Sequence, residues 1–261
     1  PFVFTSHSLG VFLDGYNKER VDCEKIVMTS SNLVTTSSVF ETMLIGDTYK
    51  IDENKIKKII PGVDKKIFIP DSSVEKENII LSIGRIQKQK GQIQTLEFLN
   101  NFKKIEKDFK CYFIGGPSGK NGNEYLNELK QSVEEFNLNT HVEFLDNLPQ
   151  TEIIDLFKKA KLMIHTSQFE TFGLVAIEAN AMGVPVLTTN NGSLMEIIEN
   201  NKNGYLSDSL LDGNVNNFVN NLFNDDAKYE EISSSCIEKS KKYDWVKTTN
   251  ELESLYKQLV R

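Results

Sequence analysis

The chain has 261 residues, 39% of them hydrophobic and 26% charged, enough for one large domain or two small ones around a real core. A formal charge of −7 weighs against a nucleic-acid binder, whose phosphate contacts need a basic face, and every apolar run falls far short of the ~20 residues that span a bilayer. Three scattered cysteines make neither a disulfide framework nor a zinc knuckle, and no basic-then-apolar leader opens the chain, so a cytoplasmic location is expected.

In chain order, short continuous apolar runs predict strands at residues 2–6, 26–29 and 57–60, then at 79–83, 111–114, 142–145, 162–165 and 186–189. Continuous apolarity marks strands buried on both faces of a parallel sheet, and the runs at 79–83 and 162–165 are expected at its centre. Helical stripes fall between them. Ile93, Leu96, Leu99 and Phe102 form one; Ile153, Ile154, Leu156 and Phe157 form another, with Thr151 as its N-cap. The Asn-rich stretch 214–224 reads as a helix with a polar face. Trp245, Thr249, Leu252, Tyr256 and Leu259 make a last amphipathic helix that needs a surface to bury it.

This alternation predicts the α/β class with a Rossmann-like parallel sheet. Pro61-Gly62-Val63-Asp64 and the polar run from Pro70 make 61–77 a linker. Residues 78–240 then form a complete α/β domain. Residues 1–60 hold too few strands to close a sheet and read as the end of a first, incomplete α/β domain. The helix within 241–261 is expected to pack back toward that N-terminal part. The alternative is a single sheet holding every strand.

Two stretches carry candidate chemistry. Gly84-Arg85 leaves the strand at 79–83, and Lys90-Gly91 precedes a helix. Ligands of open parallel sheets sit beyond the carboxyl ends of the strands. There Gly84 lets the backbone come close, while Arg85 and Lys90 stand at the mouth of the cleft beside a helix N-terminus, a diphosphate-sized basic site. Arginine is rare here, occurring only as Arg20, Arg85 and Arg261, which favours this over a turn glycine followed by two solvated cations. The second stretch runs from Phe169-Glu170-Thr171-Phe172-Gly173 into Leu174-Val175-Ala176-Ile177-Glu178. A helix starting at Gly173 aims the free amides of Gly173, Leu174 and Val175 into the cleft. On one helix Glu170 and Glu178 would stand ~12 Å apart. Glycosidase carboxylates are held at ~5–9.5 Å. The pair therefore suits two ends of one long ligand, the alternative being a capping and a surface glutamate.

Taken in order, Gly84-Arg85 with Lys90-Gly91, Glu170 and Glu178 with seven residues between, and Gly183-Val184-Pro185-Val186 resemble the donor half of retaining GT-B glycosyltransferases, most closely glycosyltransferase family 4. Ile114-Gly115-Gly116-Pro117-Ser118-Gly119, Asn191-Gly192 with Glu196, and Asn203-Gly204 fit the same domain. Phe4-Thr5-Ser6-His7-Ser8-Leu9-Gly10 is similar to the end of the family's N-terminal domain, and Pro61-Gly62-Val63-Asp64 to its crossover.

The resemblance implies a hexosyl transfer from a nucleotide sugar, UDP-linked by default and GDP-linked second, to an acceptor the sequence does not identify. Arg85 and Lys90 would neutralise the diphosphate, Glu170 would bond the donor sugar, and Glu178 the ribose. The amides of Phe172, Gly173, Leu174 and Val175 would meet phosphate and sugar. Backbone around Leu145 and Leu148 would meet the base, and His7 would face the reacting sugar from across the cleft. Neither a metal nor a cofactor is implied, and the sequence has no Asp-x-Asp pair. Most of the acceptor-side domain of such enzymes has no counterpart here. A fragment, an incomplete record, a subunit or a non-catalytic nucleotide-sugar-binding module are therefore the alternatives. The acceptor is expected to be a saccharide, a lipid-linked saccharide or a small molecule, and peripheral contact with a membrane is compatible with the absence of a spanning segment.

Overall fold

The computed structural model describes residues 1–12 and 17–260; residues 13–16, inside the expected first segment, and Arg261, at the end of the expected last one, lie outside the described residues. The N-terminal part contains β1 (Val3–Thr5), α1 (Lys18–Ser30), β2 (Leu33–Thr36), α2 (Val39–Tyr49) and β3 (Ile56–Lys58). After the crossover come β4 (Glu77–Ile83), α3 (Gln92–Phe102), β5 (Lys110–Ile114), α4 (Gly122–Glu135), β6 (Val142–Leu145), α5 (Gln150–Lys159) and β7 (Ala160–His165). The chain continues through α6 (Leu174–Ala181), β8 (Val186–Thr189), α7 (Leu194–Ile197), β9 (Gly204–Ser207), α8 (Gly213–Asn224), α9 (Asp226–Ser240) and α10 (Trp245–Val260).

Among the described residues the strands form two sheets, β1-β2-β3 and β6-β5-β4-β7-β8-β9, with every neighbouring pair parallel. β4 and β7 lie at the centre of the larger sheet, as their apolar runs predict, and all six residues of β7 are buried. One face of this sheet carries α3, α4, α8 and α9 through Leu96, Phe102, Leu129, Phe218, Leu222 and Ile232. The other carries α5, α6 and α7 through Ile154, Phe157, Ile177, Leu194 and Ile197. This is the doubly covered α/β sandwich that buried parallel strands require. The small sheet has its own core of Leu9, Val21, Met28, Val34, Ile45, Tyr49 and Ile56.

The structure corrects the sequence reading at three places. Residues 26–29 are helical, the end of α1, which Asn17 caps by accepting the Arg20 amide at 3.0 Å. Within α1, Val21 and Met28 are buried while Ile26 is exposed, a 3.6-residue pattern that a four-residue window mistakes for a strand. The buried strand is β2, four residues later, where two threonines dilute the apolar signal. β9 was also unanticipated. Finally, α5 begins at Gln150 behind Pro149, so Thr151 is an ordinary first-turn residue with no capping bond.

The segment from Pro61 onward crosses between the sheets. Val63 bridges to Asp244, and Phe68 is buried against the large domain. There α10 begins. Thr248 is its one buried residue and donates to the Ile60 carbonyl at 2.6 Å, while Trp245, Val246, Tyr256 and Val260 stay exposed. The first turn of α10 thus touches the crossover, and its apolar stripe is only partly covered, with Leu252, Leu255 and Leu259 half-buried. A Cβ on Gly62 would sit 2.2 Å from the Trp245 amide nitrogen, whereas one on Gly46, inside α2, would meet nothing within 4 Å. Gly62→Ala should therefore cost roughly 1–3 kcal/mol, and Gly46→Ala should gain about 0.5–1 kcal/mol from helix propensity. Urea denaturation of both variants checks this; an unmoved midpoint for Gly62→Ala would mean that α10 does not dock as described.

Candidate functional site

The site forms where the chain leaves the carboxyl ends of β4 and β7. Past β4 the backbone keeps pairing with the loop after β5, Gly84 N–H to the Ile114 carbonyl and Ile86 N–H to the Gly116 carbonyl, both at 2.9 Å. This pins Arg85 at the edge of the sheet. Its side chain is exposed and has no hydrogen-bond or ion-pair partner among the described residues. A Cβ on Gly84 would enter open space, so a ligand can reach the backbone there.

Lys90 closes a short 3-10 turn, Lys88–Lys90, that is tied to the end of β7. The Thr166 hydroxyl lies 3.0 Å from the Lys90 carbonyl and 2.8 Å from that of Gly91, and Gln168 N–H donates to the Gln89 carbonyl at 2.8 Å. From this position Lys90 Nζ reaches Glu170 Oε2 at 3.0 Å, and His165 Nε2, at the end of β7, lies 3.0 Å from the same oxygen. The other carboxylate oxygen has no protein partner among the described residues. The Glu170 carbonyl is held too, by the Ser193 amide at 3.0 Å and the Ser193 hydroxyl at 3.1 Å. Burial is the largest influence on the Glu170 carboxyl and pushes its pKa up; the His165 hydrogen bond and charge, with Lys90, outweigh it and hold the pKa at about 2. His165 was not singled out from sequence, where a lone histidine inside an apolar strand carries no signal beyond its place at the strand's carboxyl end.

Gly173 takes φ +89°, a left-handed conformation that turns the loop into α6. The amides of Gly173, Leu174 and Val175 make no hydrogen bond among the described residues and point the positive end of α6 into the cleft. Phe172 anchors this start, its buried ring edge-on to Tyr243 at 6.0 Å. Glu178 sits in the second turn of α6. Burial pushes its carboxyl up to about 6, and no protein group bonds it among the described residues.

Two cavities open here. One, of about 420 Å³, is lined by Ser6, Gly84, Arg85, Lys90, Glu170, the start of α6 and Glu178. The other, of about 550 Å³, runs from His7 and Arg20 past Arg85 and Lys90 to Lys120. They share His7, Arg85, Lys90, Glu170 and Thr171, so they are one cleft between the small sheet and the large domain. In a chain of net charge −7, the larger cavity collects Arg20, Arg85, Lys88, Lys90 and Lys120 against Glu170. That reversal of sign makes the cleft a focus for anions. Lys88 is turned away to Glu128 at 3.1 Å. The structure thus gathers His7, Gly84, Arg85, Lys90, Glu170, Phe172, Gly173, Leu174, Val175 and Glu178. Leu145 and Leu148 line neither cavity; both pack on the core, and the Leu145 carbonyl accepts the Gly115 amide at 3.1 Å. Among the described residues no group of three His, Cys, Asp or Glu could hold a metal ion, and no helix is long and apolar enough to cross a membrane.

Residues 64–243 match the family "Glycosyl transferases group 1". The D-inositol 3-phosphate glycosyltransferase of Corynebacterium glutamicum is 24% identical over 279 residues, covering 98% of this chain and 66% of the relative. The chain spans about two thirds of the length of these curated relatives. Among solved structures, the sucrose-phosphate synthase of Thermosynechococcus elongatus superposes with a TM-score of 0.85 at 24% identity, over 99% of this chain and 67% of that one. HepE of Anabaena, in complex with UDP-glucose, superposes at 0.87 with 20% identity, over 99% and 72%. The fold is therefore of the GT-B, Rossmann-like type.

The Glu178 carboxyl gives a stability test of the site. Its folded pKa of about 6 lies above the ordinary 4.5, so its contribution is intact below about pH 4.5 and lost as pH rises through 6. Glu178→Gln should be more stable than wild type at pH 8 by on the order of 1 kcal/mol and no different at pH 4. Thermal denaturation across pH reads this, and a constant difference at all pH values would contradict the burial of Glu178.

Proposed function

The chain belongs to the glycosyl transferases group 1 family, and from that premise we propose that its cleft binds a nucleoside-diphosphate sugar and serves transfer of the sugar, with retention and without a metal, to an acceptor hydroxyl. The observation that carries this reading is the division of the cleft. Arg85 and the open start of α6 supply uncommitted positive charge and N–H donors on one side, and Glu170 offers a fixed, ionised carboxylate with one free oxygen on the other.

A diphosphate placed between Arg85, Lys90 and α6 meets two cations and a helix terminus, enough to offset its charge. The sugar then lies against Glu170 and the ribose against Glu178. His7 faces the sugar from the small sheet. As the sugar–oxygen bond breaks, negative charge grows on the departing diphosphate, and preorganised cations stabilise that state more than the ground state. UDP is the favoured nucleotide, supported by the UDP-glucose held by HepE, with GDP second. We read residues 1–60 as acceptor-side, 61–77 as the crossover, 78–240 as the donor domain, and the helix of 241–261 as its return. Free thiols at all three cysteines support a cytoplasmic location. The alternative reading is a sugar-nucleotide-binding module that needs a partner for turnover.

Calorimetry separates the two carboxylates. Glu178→Gln should weaken UDP and UDP-sugar alike, by about ten- to a hundred-fold, the scale of a lost charge-assisted bond. Glu170→Gln should weaken only the intact UDP-sugar. Chelation with EDTA should leave both affinities unchanged, and equal losses for both ligands in both variants would show the roles to be misassigned.

Turnover tests the cations. Arg85→Ala should lose on the order of 10²–10³ in kcat. Arg85→Lys should bind donor nearly as well but turn over more slowly, since lysine lacks the planar fork. Lys90→Ala should resemble Arg85→Ala, and Lys88→Ala should do little. The assay is run on this chain and on a version extended to the length of its relatives; activity in the longer version alone selects the module reading. An active Arg85→Ala, within about threefold of wild type, would remove the electrostatic role.

A further inference from the structure

The small sheet meets the donor loop through contacts that ligand binding does not use. α2 is capped by Ser38, whose hydroxyl oxygen accepts the Glu41 amide at 3.0 Å and donates its hydrogen to the Thr171 carbonyl at 2.6 Å. Thr171 is the residue after Glu170. The next two amides of α2 have no partner in the helix ladder. They donate across the cleft instead, Val39 N–H to Glu196 Oε2 at 3.0 Å and Phe40 N–H to Glu196 Oε1 at 2.8 Å. Glu196 stands on α7, and Ser193, at the head of that helix, holds the Glu170 carbonyl. The first turn of α2 therefore grips both segments that position Glu170.

Ser37 is held from behind. Its amide and hydroxyl both donate at 2.6 Å to one oxygen of Glu41, which is fully buried. The capping turn is thus rigid before it meets its partners. The rest of this interface is loosely filled, with a cavity of about 170 Å³ between Ser38, Ile60, Phe172 and Glu196. Packing there cannot by itself fix the angle between the two parts, and the polar contacts must do so. A carboxylate on a helix N-terminus is charge-assisted, and Val39 and Glu196 are exposed, so water can replace the bond and the contact can open and re-form.

We infer that Glu196 and Ser38 are positioning residues: together they form a latch that sets how the small lobe, with His7, closes over Glu170. The role in transfer rests on the donor-site reading above; the latch itself does not. Its consequence is a split. The donor site lies on the large domain, so opening the latch leaves nucleotide affinity intact while misplacing His7, and misplacement by about 1 Å costs on the order of a hundred-fold in rate.

Cys23, on α1 of the small lobe, is exposed, whereas Cys111 and Cys236 are buried. A spin label on Cys23 and a second on Lys130→Cys, on exposed α4, report the distance between the lobes. Wild type should give one narrow distribution. Glu196→Ala should broaden it, Glu196→Gln, which keeps one acceptor, should fall between, and UDP affinity should stay within about threefold throughout. Ser38→Gly costs the cap little and removes the shorter of two serine contacts on the Thr171 carbonyl, the other being the Ser37 hydroxyl at 3.2 Å, so it should broaden the distribution independently of Glu196. In the active form, kcat should fall in Glu196→Ala and Ser38→Gly with donor KM unchanged. Distributions as narrow as wild type in both variants overturn the latch, and broadening without loss of kcat overturns the positioning role. A wild-type chain that binds no UDP-sugar instead refutes the donor reading, and it does so before any variant is made.

Discussion

The arrangement on which the cleft depends is the sharing of one Glu170 oxygen between Lys90 and His165. An ion pair this buried contributes little net stability, because desolvation offsets most of its attraction. What it contributes is position and charge. With both protein donors on Oε2, the carboxylate stays ionised, its plane is fixed, and Oε1 is left for something that is not protein. Each partner is itself held by the fold. Lys90 is drawn in because its turn is bonded to the end of β7, and His165 is the last residue of that strand. Glu170 cannot swing away, because Ser193 holds its backbone. The central strands thus reach the chemistry through short, rigid connections, as the carboxyl edge of a parallel sheet allows.

Charge decides what the site can receive. The molecule is acidic overall, yet its cleft gathers cations and the start of α6. Lys90, Lys88 and Arg20 have acidic partners, whereas Arg85 and Lys120 have none among the described residues, and of these two Arg85 stands at the end of β4. A cation left free at the mouth of an anion-attracting cleft is costly to the isolated fold only through repulsion from its neighbours, and it is available in full to a ligand. Arginine suits that place, because its fork can engage two phosphate oxygens at once while remaining charged at any physiological pH.

Much of this was legible in the sequence, and the failures have physical causes. Glycines and cations next to apolar strands located Gly84, Arg85, Lys90 and Gly173, because turn chemistry and strand ends are local properties. The central strands were legible because burial on both faces leaves an unbroken apolar run. Residues 26–29 misled because a helix with one exposed isoleucine imitates such a run over four positions. β2 and β9 escaped because threonine and glycine dilute theirs. His165 and Ser193 were out of reach for a different reason. Their importance lies in contacts with Glu170 made by the fold, and nothing in their immediate neighbours announces it. For Leu145 and Leu148 the resemblance reaches further than the geometry: it assigns backbone around them to the base, and the fold shows their side chains packed on the core outside both cavities.

In the proposed reading, the two glutamates of α6 and its leading loop serve two ends of one ligand. Their environments push them in opposite directions, Glu170 down to about 2 by His165 and Lys90 against the pull of burial, and Glu178 up to about 6 by burial alone. Pairs of carboxylates separated in this way usually mark divided roles. In the proposed reading the division is not that of an acid and a base on one bond, and the helix start with open amides that lies between them supports this. Glu170, ionised and gripped, is suited to ordering hydroxyls where charge develops. Glu178, ungripped and close to neutrality, becomes a better acceptor once a ligand hydroxyl donates to it, because a hydrogen bond to the ionised form pulls its pKa back down. Ligand binding would then relieve the burial cost that the empty site carries at Glu178, so part of the affinity for the distal end of the ligand is stored in the fold before the ligand arrives.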